Sequence, residues 1–221
     1  MKAVIFDLFE TLITEWVTEK YTSALCAADL GVNPALYREI WESMNDLRNT
    51  GKITHEQAVM LICEKAGVPL SAEKLAYVVS RRKIAKEYCI NYRHADILDI
   101  LSALRSMGIK IGLISNCFSE EAEAFHKSHL PAYFDAAILS YEAGITKPDP
   151  EIYKLCAKKL GVLPSECLFV GDGGSSELKG AESVGMKPLR AMWYLNRYAK
   201  NIEKMPFNQA ETPDDVLKYI I

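Results

Sequence analysis

Ala3-Val4-Ile5-Phe6-Asp7-Leu8-Phe9-Glu10-Thr11-Leu12 is the stretch whose reading decides the fold. Its apolar run is too short for a helix and too uniform for a half-exposed strand, so it predicts a strand buried on both faces, as in a parallel sheet. The run ends on a carboxylate. At the carboxyl end of a central parallel strand, Asp7 falls where open α/β sheets place ligands, in the crevice lined by strand-to-helix loops. Taken alone, the same aspartate serves as well to cap the following turn.

Outward from this stretch, three later strand ends repeat the pattern. Ile109 to Ile114 stops at Ser115-Asn116; Ala143-Gly144-Ile145-Thr146-Lys147-Pro148-Asp149-Pro150 follows a strand over Phe134 to Ser140; Leu168-Phe169-Val170 runs into Gly171-Asp172-Gly173-Gly174. Helical patterns over about 95–107, 119–129, 150–160 and 175–184 alternate with these strands and with one at 188–192. Right-handed crossovers of this kind give a Rossmann-like parallel sheet covered on both sides, an α/β core. Thr212-Pro213-Asp214-Asp215-Val216 reads as the capped start of a final helix, with Pro213 at its first position.

Between the first strand and residue 90 there is no strand-like run. Dividers at Gly31-Val32-Asn33-Pro34, Thr50 to Thr54 and Gly67 to Ser71 carry helix-stop and helix-start chemistry, and Thr54-His55-Glu56-Gln57 has capping-box spacing. Four helices result. Ala24, Leu25 and Ala28, and Leu36, Ile40, Met44 and Leu47, recur at helical spacing, which predicts a small four-helix bundle with its own core. The expected organisation is therefore a core built from residues 1–14 and 91–221, with a helical unit of residues 15–90 inserted.

A chain of 221 residues with 49% apolar content supports one sizeable core and a smaller module. The net charge of -3, with acids and bases interspersed, offers no basic stripe for nucleic acid and no polybasic segment for a membrane. No apolar run approaches the roughly 20 residues that span a bilayer, and no signal-peptide pattern precedes the first strand, so a cytoplasmic location is expected. The six cysteines form no C-x-x-C pair and read as packing residues. Neither a phosphate loop of the G-x-x-x-x-G-K-[ST] kind nor G-x-G-x-x-G is present.

Taken together, the four strand ends resemble the motifs of the haloacid dehalogenase superfamily of hydrolases and phosphatases. Residues 5–12 match its nucleophile motif, Ser115 the hydroxyl ending the second, Lys147 the basic residue of the third, and Asp172 with Glu177 the acidic fourth. The resemblance covers nearly the whole chain. It implies that the helical insertion is a cap closing over the site, hinged near Ile13 to Glu15 and Tyr88 to Arg93. One position departs from the phosphatase pattern: most phosphatases of the family carry a second aspartate two residues after the nucleophile, and this chain has Phe9.

The fold places Asp7 and Asp172 side by side, and two bare carboxylates cannot both stay ionised cheaply, so a cation must share the site. An all-oxygen site in contact with phosphate suits Mg2+. By resemblance the backbone carbonyl of Phe9 is a further ligand, and Glu177 acts from behind, orienting water or holding Lys147. Asp7 would attack phosphorus to give an aspartyl-phosphate, with Ser115 and Lys147 neutralising the phosphoryl oxygens. Read without the resemblance, Ser115 and Asn116 can cap the next helix and Lys147 can be a solvated loop lysine.

The missing aspartate would normally protonate the leaving group and activate water. Glu10 or His55 could stand in; an activated leaving group would need no acid; or the reaction differs. Dehalogenases of the family also carry an aromatic residue there but lack the Gly-Asp of the fourth motif, so Gly171-Asp172 argues against that chemistry. Phosphonate cleavage would need a cap lysine, for which Lys52 is the candidate. Arg48, Lys52 and His55, on or beside the Thr50 to His55 turn, are expected to read the leaving group, unless they merely solvate a helix end. The reading is a magnesium-dependent phosphatase of a small phosphorylated metabolite, monomer or homodimer, without nucleic-acid or membrane partners. A catalytically weak phosphate-binding relative is the alternative. The aromatic run from Trp193 to Tyr198 is either an interface or the edge of the core.

Overall fold

The computed structural model describes residues 1–220. Six strands, β1 (Ala3–Phe6), β2 (Lys110–Ser115), β3 (Ala136–Leu139), β4 (Cys167–Gly171), β5 (Lys187–Ala191) and β6 (Asn208–Ala210), form one parallel sheet in the order β3-β2-β1-β4-β5-β6. All four residues of β1 are buried. Because alternate side chains leave opposite faces, Val4 and Phe6 join one apolar cluster with Ile97, Ile100 and Leu104, while Ala3 and Ile5 join another with Ile152, Tyr153 and Cys156. The uniform apolar character of β1 follows directly from this burial between two helical layers.

Eleven α-helices complete the described chain. Five fall within residues 15–91: α1 (Ser23–Leu30), α2 (Pro34–Ser43), α3 (Asn45–Asn49), α4 (His55–Ala66) and α5 (Ala72–Asn91). The others are α6 (Ala95–Ser106), α7 (Ser119–Lys127), α8 (Ser140–Ala143), α9 (Pro150–Leu160), α10 (Glu177–Ser183) and α11 (Trp193–Tyr198). Strand order reverses between β1 and β4, since the chain fills one side of β1 with β2 and β3 before crossing to β4. The carboxyl ends of β1 and β4 therefore border the crevice where such sheets bind ligands.

The inserted helices carry an apolar cluster of their own, including Cys26, Ala27, Leu30, Tyr37, Ile40, Ala58, Ile62 and Val78. Its caps form as the sequence indicates. Thr54 and Gln57 exchange both capping-box bonds, at 3.2 and 2.8 Å, and left-handed glycines end α1 and α4. The buried face of α1 is not the expected one. Leu25 is 44% exposed, and Ala24 and Ala28 also face solvent, whereas Cys26, Ala27 and Leu30 are buried. Six of the eight residues of α1 are apolar, so periodicity cannot select a face there and packing against Tyr37 does. Leu36 and Leu47 are likewise exposed, while Ile40 and Met44 are buried as expected.

At the other end of the chain, β6 has no apolar run to announce it; it pairs Leu189 with Asn208 and Ala191 with Ala210. The final helix is a 3-10 helix over Pro213–Tyr219. Trp193 and Tyr194 are buried, and Trp193 Nε1 donates to the Thr11 carbonyl at 2.9 Å, which makes this segment an edge of the core. All six cysteines are free and buried. Among the described residues no helix is long and apolar enough to cross a membrane.

Candidate active site

Asp7 leaves the end of β1 with its backbone N–H donating to the Val170 carbonyl of β4 at 2.9 Å, which ties the aspartate to the strand crevice. Lys147, on the loop after α8, reaches the same point. Its ammonium bonds Asp7 Oδ1 and, at 2.5 Å, Glu177 Oε2, and all three side chains are buried. The lysine is aimed by Asn116: Asn116 Nδ2 donates to the Lys147 carbonyl at 3.0 Å, and Lys147 N donates back to Asn116 Oδ1 at 2.8 Å. Asn116 is thus a brace between the β2 and β3 loops, and no helix cap. Ser115, ending β2, is fully buried, and its hydroxyl makes only a long 3.4 Å bond to the Asn116 carbonyl.

The fourth strand end supplies the remaining acids. Gly174 N donates to Asp172 Oδ1 at 2.9 Å, and Gly173 N donates to Glu177 Oε1 at 3.1 Å. Glu177 approaches so closely that a Cβ on Gly171 would lie 2.1 Å from its Oε1, so only glycine fits there. Tyr153 and Arg190 fix the surroundings, donating to the Glu177 and Asp172 carbonyls at 2.9 Å each. One carboxylate oxygen from each of Asp7, Asp172 and Glu177 lies within 4.8 Å of the others.

Three carboxylates share one lysine here. Burial and the Asp7 charge push Glu177 up to about 8 and hold Asp172 above its ordinary value. Burial alone would discharge Lys147, but Asp7 and Glu177 outweigh it and keep the ammonium charged. A cluster of hard oxygen donors with excess negative charge is chemically matched to a divalent cation such as magnesium.

Phe9 and Glu10 begin the turn that follows β1. Glu10 holds φ of 57° and spends its carboxylate on the Thr14 hydroxyl, at 2.5 Å, and the Glu15 N–H, at 3.1 Å. Phe9, Glu10 and Asn116 line a cleft of about 520 Å³ whose other walls include Glu15, Arg82, Lys86, Phe118 and Glu121.

The three residues expected to read the leaving group do not line this cleft. Arg48 is buried, its guanidinium 3.5 Å from the centroid of Trp41 and 4.0 Å from that of Phe118, and it donates to the Trp41 carbonyl at 3.2 Å. Lys52 is exposed. His55 is buried edge-on to Trp41, and burial lowers it to about 4, so it is neutral near pH 7. The turn that carries them is docked instead by its backbone: His55 N donates to Ser119 Oγ at 2.9 Å, and the Gly51 α-carbon, at φ of 70°, lies against the Tyr141 carbonyl.

The charged side chains in the cleft come from α5, from α7 and from the segment after β1 that carries Glu15. Lys86 contacts Glu15 at 2.5 Å and Glu121 at 2.6 Å, its ammonium 5.0 Å from the Phe9 ring centroid, and Arg82 pairs with Glu120. The available signal was the spacing of Arg82 and Lys86, one helical turn apart, facing the adjacent acids Glu120 and Glu121. Nothing local says that these charges are buried.

A buried aspartate and lysine and an acidic cluster thus sit at the switch point of a parallel sheet, the place where enzymes of the α/β class bind their ligands. The family model of the haloacid dehalogenase-like hydrolases matches residues 1–185, and the chain belongs to that family. A glyceraldehyde 3-phosphate phosphatase of Methanopyrus kandleri is 27% identical over 228 residues, covering 97% of this chain and 91% of its own length. Among solved structures, a HAD family enzyme from Bacteroides thetaiotaomicron in its magnesium complex superposes with a TM-score of 0.67 at 23% identity, over 86% of this chain and 92% of that one. The L-2-haloacid dehalogenase of Xanthobacter autotrophicus reaches 0.62 at 20% identity, over 100% and 98%. At these identities the two structures speak to the fold.

Proposed function

We propose that the protein is a magnesium-dependent phosphatase that hydrolyses a small phosphorylated metabolite through an aspartyl-phosphate on Asp7. The observation that carries this reading is the single buried Lys147 shared by Asp7 and Glu177, with Asp172 alongside. Asp7, the Phe9 carbonyl and Asp172 would hold magnesium, with Glu177 behind them keeping Lys147 in place. The ion, when bound, supplies the positive charge that three carboxylates lack and offsets charge on the phosphoryl oxygens.

The residues of the chain do the rest. One Asp7 oxygen forms a bond to phosphorus as the ester P–O bond breaks, and the leaving oxygen takes a proton. Lys147 N–H groups and the Ser115 hydroxyl stabilise the phosphoryl oxygens as charge develops there. Water then attacks phosphorus, the Asp7–phosphate bond breaks, and inorganic phosphate and the free carboxylate are restored. Phe9 gives and takes no proton, and His55, outside the cleft walls and weakly basic, does not replace it. Glu10 is engaged with Thr14. Both proton transfers therefore fall to water, so turnover is slow on unactivated esters and faster on activated ones.

We assign the helical insertion, residues 15–90, as the cap of a core made of residues 1–14 and 91–221. The docking of its turns on Ser119 and Tyr141, and of Lys86 over Phe9, supports that role. The phosphonate reading loses its lysine, because Lys52 is exposed. A dehalogenase reading is favoured by the aromatic Phe9 alone and opposed by three clustered carboxylates. Hydrolysis of p-nitrophenyl phosphate, with and without magnesium and with Asp7→Asn, tests the proposal. Magnesium-dependent turnover lost in the variant supports it, and halide release from a 2-haloacid without phosphatase activity overturns it.

A further inference from the structure

The charged walls of the cleft constrain what leaves when phosphate is taken. Lys86 Nζ holds Glu15 Oε1 at 2.5 Å and Glu121 Oε1 at 2.6 Å; Arg82 is paired with Glu120 and lies 3.7 Å from Glu121; Lys20 lies 3.7 Å from Glu15 Oε2. Every cation in the walls thus already faces a carboxylate, and Glu10 and Glu19 add further negative charge. A second phosphate or a carboxylate on the substrate would have to displace one of these acids and sit beside the others.

A hydroxyl needs no such rearrangement. An ammonium carries three N–H donors, and those of Lys86 meet two carboxylates, leaving one. Among the described residues no hydrogen bond reaches Glu15 Oε2, whose side chain is 28% exposed. Both groups lie in the cleft bordered by Phe9, two residues after Asp7, and by Asn116, which holds the Lys147 backbone. A hydroxyl can accept from the first and donate to the second.

We propose that Lys86 and Glu15 read a hydroxyl of the leaving group, so that the substrate is the phosphomonoester of a small uncharged polyhydroxy compound, and neither a bisphosphate nor a phosphorylated carboxylic acid. The inference rests on the phosphatase reading and adds the substrate class. Lys86 and Glu15 act in specificity, while Asp7 and Lys147 act in the chemistry.

Three phosphomonoesters of matched carbon number test it with the full chain and magnesium: glycerol phosphate, propyl phosphate and phosphoglycerate, beside p-nitrophenyl phosphate. The expected order of kcat/KM is glycerol phosphate above propyl phosphate above phosphoglycerate, with the first step about tenfold or more, as for a site built to bond a hydroxyl. Lys86→Met should collapse the glycerol-to-propyl ratio. Glu15→Gln keeps the shape and removes a charge, and should raise phosphoglycerate relative to glycerol phosphate by about tenfold; it decides the matter by itself should Lys86→Met not fold. Preference for phosphoglycerate, or ratios unmoved in Glu15→Gln, overturns the inference. Those results with p-nitrophenyl phosphate still turned over leave the phosphatase reading standing, whereas no turnover of any ester removes both.

Discussion

Two charge clusters, one buried and one partly buried, lie within this molecule and answer desolvation in opposite ways. At the sheet crevice, Asp7, Asp172 and Glu177 face one base, Lys147. Along the seam between α5 and α7, Glu15, Glu120 and Glu121 face Arg82 and Lys86, with Arg48 adjoining. Burial acts to raise Asp172 and Glu177 in the crevice and Glu15 and Glu120 in the seam. In the crevice Lys147 alone does not offset it, and Glu177 rises to about 8; in the seam Arg82 overrides it, and Glu120 falls to about 2. Desolvation is common to both, and the number of bases decides the sign. A cluster short of positive charge could accept a cation, as the proposed function requires, while a balanced one joins α5 to α7.

The largest effect that separates the two regions comes from removing an acid in each. Asp7→Asn should lower phosphatase activity by at least about three orders of magnitude. In metal-free protein it should also raise Tm, because it relieves the acid excess. Glu120→Gln should do the reverse in stability, costing about 2 kcal/mol by leaving the half-buried Arg82 with only the more distant Glu121, read by urea unfolding. Destabilisation by Asp7→Asn without metal would break the contrast.

Next in size is the pH response. Glu177 has a folded value above its ordinary 4.5, so its contribution is present below about 4.5 and lost as pH rises through about 8. His55 has a folded value of about 4, below its ordinary 6.5, so stability is present above 6.5 and lost as pH falls through 4, amounting to about 3 kcal/mol for this buried ring. Glu120 acts in the same sense as His55, between 4.5 and about 2. The Glu177 and His55 windows overlap and oppose each other between 4.5 and 6.5, so melting curves with chelator should be flattest there, falling as pH rises from 6.5 towards 8 and as it drops below about 4.5. Magnesium should remove the loss between 6.5 and 8, and His55→Leu should leave stability falling with rising pH from about 4.5 upward.

Phe9→Asp sharpens the comparison by adding an acid where the two regions meet. Lys86 Nζ already lies 5.0 Å from the Phe9 ring, so a carboxylate there has a cation to face. Steady-state rates on an unactivated ester should rise by about two orders of magnitude, the scale of general acid-base catalysis, with a smaller gain on p-nitrophenyl phosphate. No gain on either would show that water is not the proton source. Smallest is Leu25→Ala on the exposed face of α1, which should change stability by less than about 0.5 kcal/mol, against about 3 kcal/mol for Ile62→Ala in the buried cluster.

The legible part of this molecule is the part that local chemistry dictates. The uniform run of β1, the strand ends at Ser115 and Gly171, and the caps at Thr54, Asn33 and Asp149 each follow from neighbouring residues, so the parallel sheet could be read and the crevice placed. The strand β6 could not, because its pairing with β5 stabilises Asn208 to Ala210 from outside the segment. In α1 the apolar residues run around the helix, and only the neighbouring helix picks Cys26 and Leu30 over Leu25. The walls of the cleft escape a local reading for a related reason. Arg48, Lys52 and His55 are polar and close in sequence, yet stacking on Trp41 and Phe118 withdraws Arg48, and Trp41 covers His55. Lys86 reaches the cleft from α5, where it meets Glu15 of the segment after β1 and Glu121 of α7, a relation between distant segments.

The most direct test of the crevice as a phosphoryl-accepting, cation-requiring site is intact-mass and peptide mass analysis of the protein mixed with acetyl phosphate and magnesium and quenched in acid. One phosphoryl group on Asp7, absent without magnesium and absent in Asp7→Asn, is the result expected. A protein that stays unmodified, or carries its phosphoryl group elsewhere, would contradict the account.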